Sequence, residues 1–152
     1  MAKMLFASKP QDFRKLLPMK MKRYPFKGYK YLTWCGYCIM REDTSADMPE
    51  DDSNHENIHL RQAQDAGTWL KFYARYLWSW FRLSPLFRKF GYYLNKFETE
   101  AYAKERDMTY LIRRPENNVA LFDQPDKTQI WKSAGRSSYL YKKMIKEKFQ
   151  DI

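Results

Sequence analysis

Cys35-Gly36-Tyr37-Cys38 and, after sixteen intervening residues, His55-Glu56-Asn57-Ile58-His59 hold both cysteines and both histidines of this 152-residue chain. The order is C-x2-C followed by H-x3-H, the ligand order of a structural zinc site. Two thiolates from a tight knuckle and two imidazoles one helical turn apart can close a tetrahedron around Zn²⁺. Cys35, Cys38, His55 and His59 are therefore the candidate metal ligands, with zinc as the candidate cofactor. A closed tetrahedron leaves no position for water or substrate, so the expected role is folding rather than catalysis. The spacing predicts a small zinc-stabilised ββα unit over residues 31–66. In it a hairpin or strand pair covers Tyr29 to Met40, and a helix over 53–66 is capped by Ser53 or Asn54. The acids Glu42, Asp43, Asp47, Glu50, Asp51 and Asp52 place a solvated loop between the two.

The same residues carry plainer readings. The histidines fit the surface of an ordinary helix start, and the cysteines fit buried free thiols beside Trp34 and Ile39. A DNA-reading finger is disfavoured, because the helix around His55 carries Glu56 and lacks a cluster of basic base-reading side chains. Trp34-Cys35-Gly36-Tyr37-Cys38 also looks like the WCxxC site of thioredoxin-like redox proteins. That chemistry needs a helix N-terminus after the first cysteine to stabilise its thiolate, whereas Ile39-Met40-Arg41 runs straight into the acidic segment.

Downstream, Thr68 to Leu83 reads Thr-Trp-Leu-Lys-Phe-Tyr-Ala-Arg-Tyr-Leu-Trp-Ser-Trp-Phe-Arg-Leu. Lys71, Arg75 and Arg82 share one narrow stripe at spacings of four and seven. Nearly everything else is aromatic or aliphatic, a wider apolar face than a lone surface helix carries. Sixteen helical residues span about 24 Å, short of the ~30 Å hydrocarbon core, and Ser84-Pro85 is expected to end or kink the helix. Such a helix suits either the core of a large assembly or a membrane surface with its cations at lipid headgroups. A second amphipathic helix is predicted over 86–112 from Leu86, Phe90, Tyr93, Leu94, Phe97 and Ala101. Glu100 and Lys104 form an i,i+4 pair on it, and Arg113 and Arg114 suit its C-terminal dipole. A loop with one turn near Ile130-Trp131 follows. Ser137 or Ser138 caps a last helix over about 138–150, with Tyr141, Met144, Ile145 and Phe149 on one face.

Outside these elements the charge is concentrated. Residues 1–30 hold nine Lys or Arg against one acid, Asp12, and Pro10, Pro18 and Pro25 argue against a long helix. This predicts an extended basic N-terminal arm that orders on a partner. The whole chain carries a net charge of +10, which favours a polyanionic or anionic-membrane neighbour. Aromatics make up 18% of it, more ring surface than such a chain readily hides alone. The expected fold is a mainly α, small irregular helical protein: arm 1–30, zinc unit 31–66, helical region 67–152. No Gly-rich phosphate loop occurs. No Ser or Cys has an evident base partner, so the inventory points away from an enzyme.

Phe87-Arg88-Lys89-Phe90-Gly91, followed by Ile112-Arg113-Arg114-Pro115-Glu116-Asn117, resembles the small matrix-side subunit of the cytochrome bc1 complex, the ubiquinone-binding-protein family. Gln129-Ile130-Trp131-Lys132 and Tyr139-Leu140 resemble that family's C-terminal Gln-Trp and Tyr-Leu positions. This chain lacks the family's Leu between Arg114 and Pro115, and residues 1–66 have no counterpart there, so no functional residue is carried over. The resemblance implies a non-catalytic accessory subunit of a mitochondrial inner-membrane respiratory-chain complex, peripheral on the matrix-facing side. Its partners would be neighbouring subunits and anionic lipid headgroups, with no small-molecule substrate. The composition also suits a mitochondrial ribosomal protein that threads its arm through rRNA.

Overall fold

The computed structural model describes residues 17–23, 25, 29–43, 48–87, 91–123 and 126–152, without the side chains of 17, 18 and 83–87. Most of the expected arm 1–30, and residues 88–90 of the stretch that carries the family resemblance, lie outside the described residues. The chain divides into two compact units, residues 1–72 and 73–152.

The first unit is built on three strands: β1 (Leu17–Met21), β2 (Tyr31–Trp34) and β3 (Tyr37–Arg41). Their order is β1-β3-β2, with β1 parallel and β2 antiparallel to the central β3. Part of the expected arm is thus a strand, and its Pro18 sits on the sheet edge, where a missing N–H is tolerated. β2 and β3 form the expected hairpin, closed by the pair Trp34↔Tyr37 across a two-residue turn. Both turn residues have positive φ, Cys35 at 49° and Gly36 at 87°. A type I′ turn demands this, and its twist matches that of the flanking strands. The C-x2-C spacing is therefore a hairpin spacing, with one cysteine in the turn and the other opposite Thr33.

Helix α1 (Glu50–Ala66) follows and packs on β2. It begins three residues earlier than expected. Its N-cap is Pro49, which offers no side-chain acceptor, and Glu50, Asp51 and Asp52 form the first turn. These acids meet the positive end of the helix dipole, so half of the expected loop acids are helical. Gly67 ends the helix in the left-handed region at φ 81°, its N–H bonded to the Gln64 carbonyl at 2.9 Å.

Helix α2 (Trp69–Phe87) runs past Ser84-Pro85 rather than stopping there. A proline in the last turn removes only one backbone bond, so the element ends two residues beyond it. Trp69 and Phe72 are buried, whereas Trp78 is 71% exposed.

In the second unit the predicted helix over 86–112 is three shorter ones: α3 (Gly91–Leu94), α4 (Lys96–Lys104) and α5 (Tyr110–Arg113). Asn95 causes the first break. It is fully buried, its side chain accepts from the Phe97 N–H at 3.2 Å, and its amide donates to the Tyr76 carbonyl at 3.3 Å. An N-cap with two such bonds outweighs the helix periodicity running through it. A 3₁₀ segment (Asn118–Phe122), α6 (Lys127–Ser133) and α7 (Ser138–Lys148) complete the unit. Its core joins Leu94, Phe122, Trp131, Ala134, Tyr141, Ile145 and Phe149. The face expected for the last helix is the face that is buried.

The unit also encloses a charged network. Arg114 and Glu100 are completely buried, with Nε and Nη2 of the arginine 2.5 and 3.3 Å from the two carboxylate oxygens. Tyr110 donates to Glu100 Oε1 at 2.8 Å, and Asn118 donates to the Tyr110 hydroxyl at 2.7 Å. The expected roles widen accordingly. Arg113 lies in the last turn of α5 and Arg114 at its C-cap, as expected, but Arg114 also neutralises a buried acid, and Lys104 donates to the Gln150 carbonyl at 3.2 Å.

Candidate metal centre

At 100° per residue, α1 puts His55 and His59 on one face and Asp52 and Glu56 on a neighbouring one. The second pair turns towards the sheet. Thr33 donates its hydroxyl to Glu56 Oε2, and because Thr33 lies opposite Cys38 their side chains share the sheet face that α1 covers. There Cys38 is 2% exposed. Burial, and then the charges of Glu56 and Asp52, push its thiol up to about 12. A buried thiol raised so far is poorly disposed to act as a free nucleophile. No helix begins at Cys35 to lower the first thiol either.

The histidines are arranged differently. Both are 7% exposed, their rings meet edge-on at 4.9 Å, and the two Nε2 atoms are 3.2 Å apart. Two Zn–N bonds of 2.0–2.1 Å at the tetrahedral angle put their nitrogens about 3.3–3.4 Å apart. The pair therefore has the span of one tetrahedron edge. Nδ1 of His59 is 2.8 Å from the side-chain oxygen of Gln62, itself buried. Since that oxygen can only accept, Nδ1 carries the proton and the Nε2 lone pair is left for a metal. Ligating histidines are commonly oriented by such a bond on the far ring nitrogen. These observations belong to the chain's own residues and fit a zinc ion.

Two of the four expected ligands, His55 and His59, are thus brought together on one face of α1, both buried. Cys38 lies on the sheet face beside Thr33, and Cys35 in the hairpin turn. Two imidazoles from one helix supply half of a zinc site, whose remaining ligands are drawn from carboxylate, thiolate or water.

The glutamate between the histidines stood in plain view in the sequence. His55-Glu56-Asn57-Ile58-His59 is H-E-x-x-H, which on a helix offers two imidazoles from one face and a carboxylate beside them as base. Counting only the spacing of nitrogen and sulfur ligands passes over Glu56. No family model matches this chain, and no curated protein or solved structure shows significant similarity to it.

Proposed function

We propose that this chain is a zinc-dependent hydrolase of amide bonds, with His55 and His59 as ligands through Nε2 and Glu56 as the base. The observation that carries the reading is the 3.2 Å separation of the two Nε2 atoms on an H-E-x-x-H helix. The chain has only two histidines, and both are used. A third protein ligand must then be a carboxylate or a thiolate, and a buried carboxylate is the simpler supply. Zinc at this position would acidify a water and polarise a substrate carbonyl.

The chain's residues supply the rest. Glu56 takes the proton that the attacking water loses and returns it to the departing amine nitrogen, so water is split across the amide and no other reactant is needed. The Thr33 hydroxyl on Glu56 Oε2 fixes the orientation of that carboxylate. Gln62 does the same for the His59 ring.

The direct test is metal analysis of the full chain, followed by cleavage of a quenched-fluorescence peptide library. One zinc per chain is expected, lost in His59→Gln and retained in Cys35→Asn, a residue chosen because asparagine tolerates the positive φ at this turn. Zinc lost in Cys35→Asn would restore the Cys2His2 set and end the hydrolase reading. Gln62→Leu should bind zinc about 10–100-fold more weakly, as orienting residues of metal ligands do; competition with a fluorescent chelator measures this.

A second reading is favoured by one observation, the exposure of Trp78 and Phe81 on α2. Here the chain is a non-catalytic subunit docked on a larger assembly, of which the mitochondrial inner-membrane complex suggested by the resemblance is one form. Recovery from cells in a stable complex, with zinc but without peptide cleavage, would select it.

A further inference from the structure

Helix α2 leaves much of its apolar surface uncovered. Leu70, Leu77, Trp78 and Phe81 are 45, 42, 71 and 58% exposed, and Ala74 lies among them in the open. On a helical projection these five side chains fall within an arc of about 100°. Lys71, Arg75 and Arg82, all exposed, fill the adjoining arc of about 40°. Arg82 also pairs with Asp123 at 3.0 Å and stays half exposed. No Asp or Glu occurs anywhere in α2.

We infer that this face of α2 is a docking surface for an anionic phospholipid bilayer, on which the helix lies in the plane of the interface. The arrangement is that of an interfacial helix. Its rings and leucines reach the acyl boundary while the cationic stripe stays at headgroup level. Tryptophan suits that depth, having an apolar body and one polar N–H. No helix among the described residues is long and apolar enough to cross a membrane, so α2 would lie on the bilayer and not through it.

Charge decides between occupants. The same face of a second copy offers Lys71 and Arg75 again, and the carboxylate neighbouring it, Asp123, is already paired with Arg82, so self-association would set like charges together. A bilayer rich in acidic headgroups meets the stripe with the complementary charge, and the net +10 of the chain adds long-range attraction. The inference does not rest on the metal centre.

Flotation of the full chain with vesicles tests it. The chain should float with phosphatidylserine-containing vesicles and remain largely behind with phosphatidylcholine alone. Trp78→Glu combined with Phe81→Glu should lower the partition coefficient more than tenfold. Lys71→Gln and Arg75→Gln should each lower it about fivefold, and only on the anionic vesicles. All four substitutions lie on exposed positions, so helix content by circular dichroism and zinc content should not change. Binding indifferent to these substitutions, or no binding at all, would overturn the inference. So would light scattering that finds a dimer which Trp78→Glu splits, because the face would then belong to a second copy. Loss of zinc with vesicle binding intact would instead count against the hydrolase reading alone.

Discussion

Glu56→Gln is expected to keep one zinc per chain and to lose about 10²–10⁴-fold in peptide hydrolysis, the range that a positioned general base contributes. The substitution is isosteric, and the glutamine oxygen can still accept the Thr33 hydroxyl bond made to Glu56. Fold and metal affinity should therefore survive while proton transfer fails. A variant that lost both zinc and activity would mark Glu56 as structural. One that kept full activity would remove it from the chemistry. The separation of metal content from turnover distinguishes this outcome from general damage, since His59→Gln should lose both together.

The largest effect on stability is expected in the second unit. Glu100→Gln leaves the Arg114 guanidinium completely buried without a counter-charge, its Nη1 still donating to the Pro115 carbonyl at 3.2 Å. Breaking one partner of a buried pair costs about 3–5 kcal/mol, and each kcal/mol lowers Tm by roughly 2–4 °C at this chain length. Thermal melting by circular dichroism should show a fall of about 6–20 °C. Glu100→Gln combined with Arg114→Met should recover most of it, since removing both charges also removes the cost of burying them. A single variant that melts within a few degrees of the parent would show that water reaches the pair.

Much of the local architecture was legible in residue order. The aromatic-rich helix, the last helix with its Ser137 cap, and the hairpin and helix around the motif all follow from periodicity, capping and turn chemistry. These depend on neighbours within a few positions, and one sequence contains them in full. The helix over 86–112 failed for the complementary reason. Asn95 gains its second bond from the carbonyl of Tyr76, nineteen residues away, and no local pattern announces that acceptor.

The candidate site divides in the same way. The sequence alone determined that His55 and His59, the two histidines of the chain, share one helical face, because a spacing of four residues puts them there. It also carried Glu56 between them, the residue proposed as the base. Only tertiary structure decided the rest: that Cys38 is sealed against α1 with its thiol raised, that the Gln62 side chain lies against Nδ1 of His59, and that Glu100 is neutralised by Arg114. Residue type sets what a side chain can donate or accept. Burial and long-range partners set which of those capacities it uses, and these arise only when segments distant in the chain are packed together.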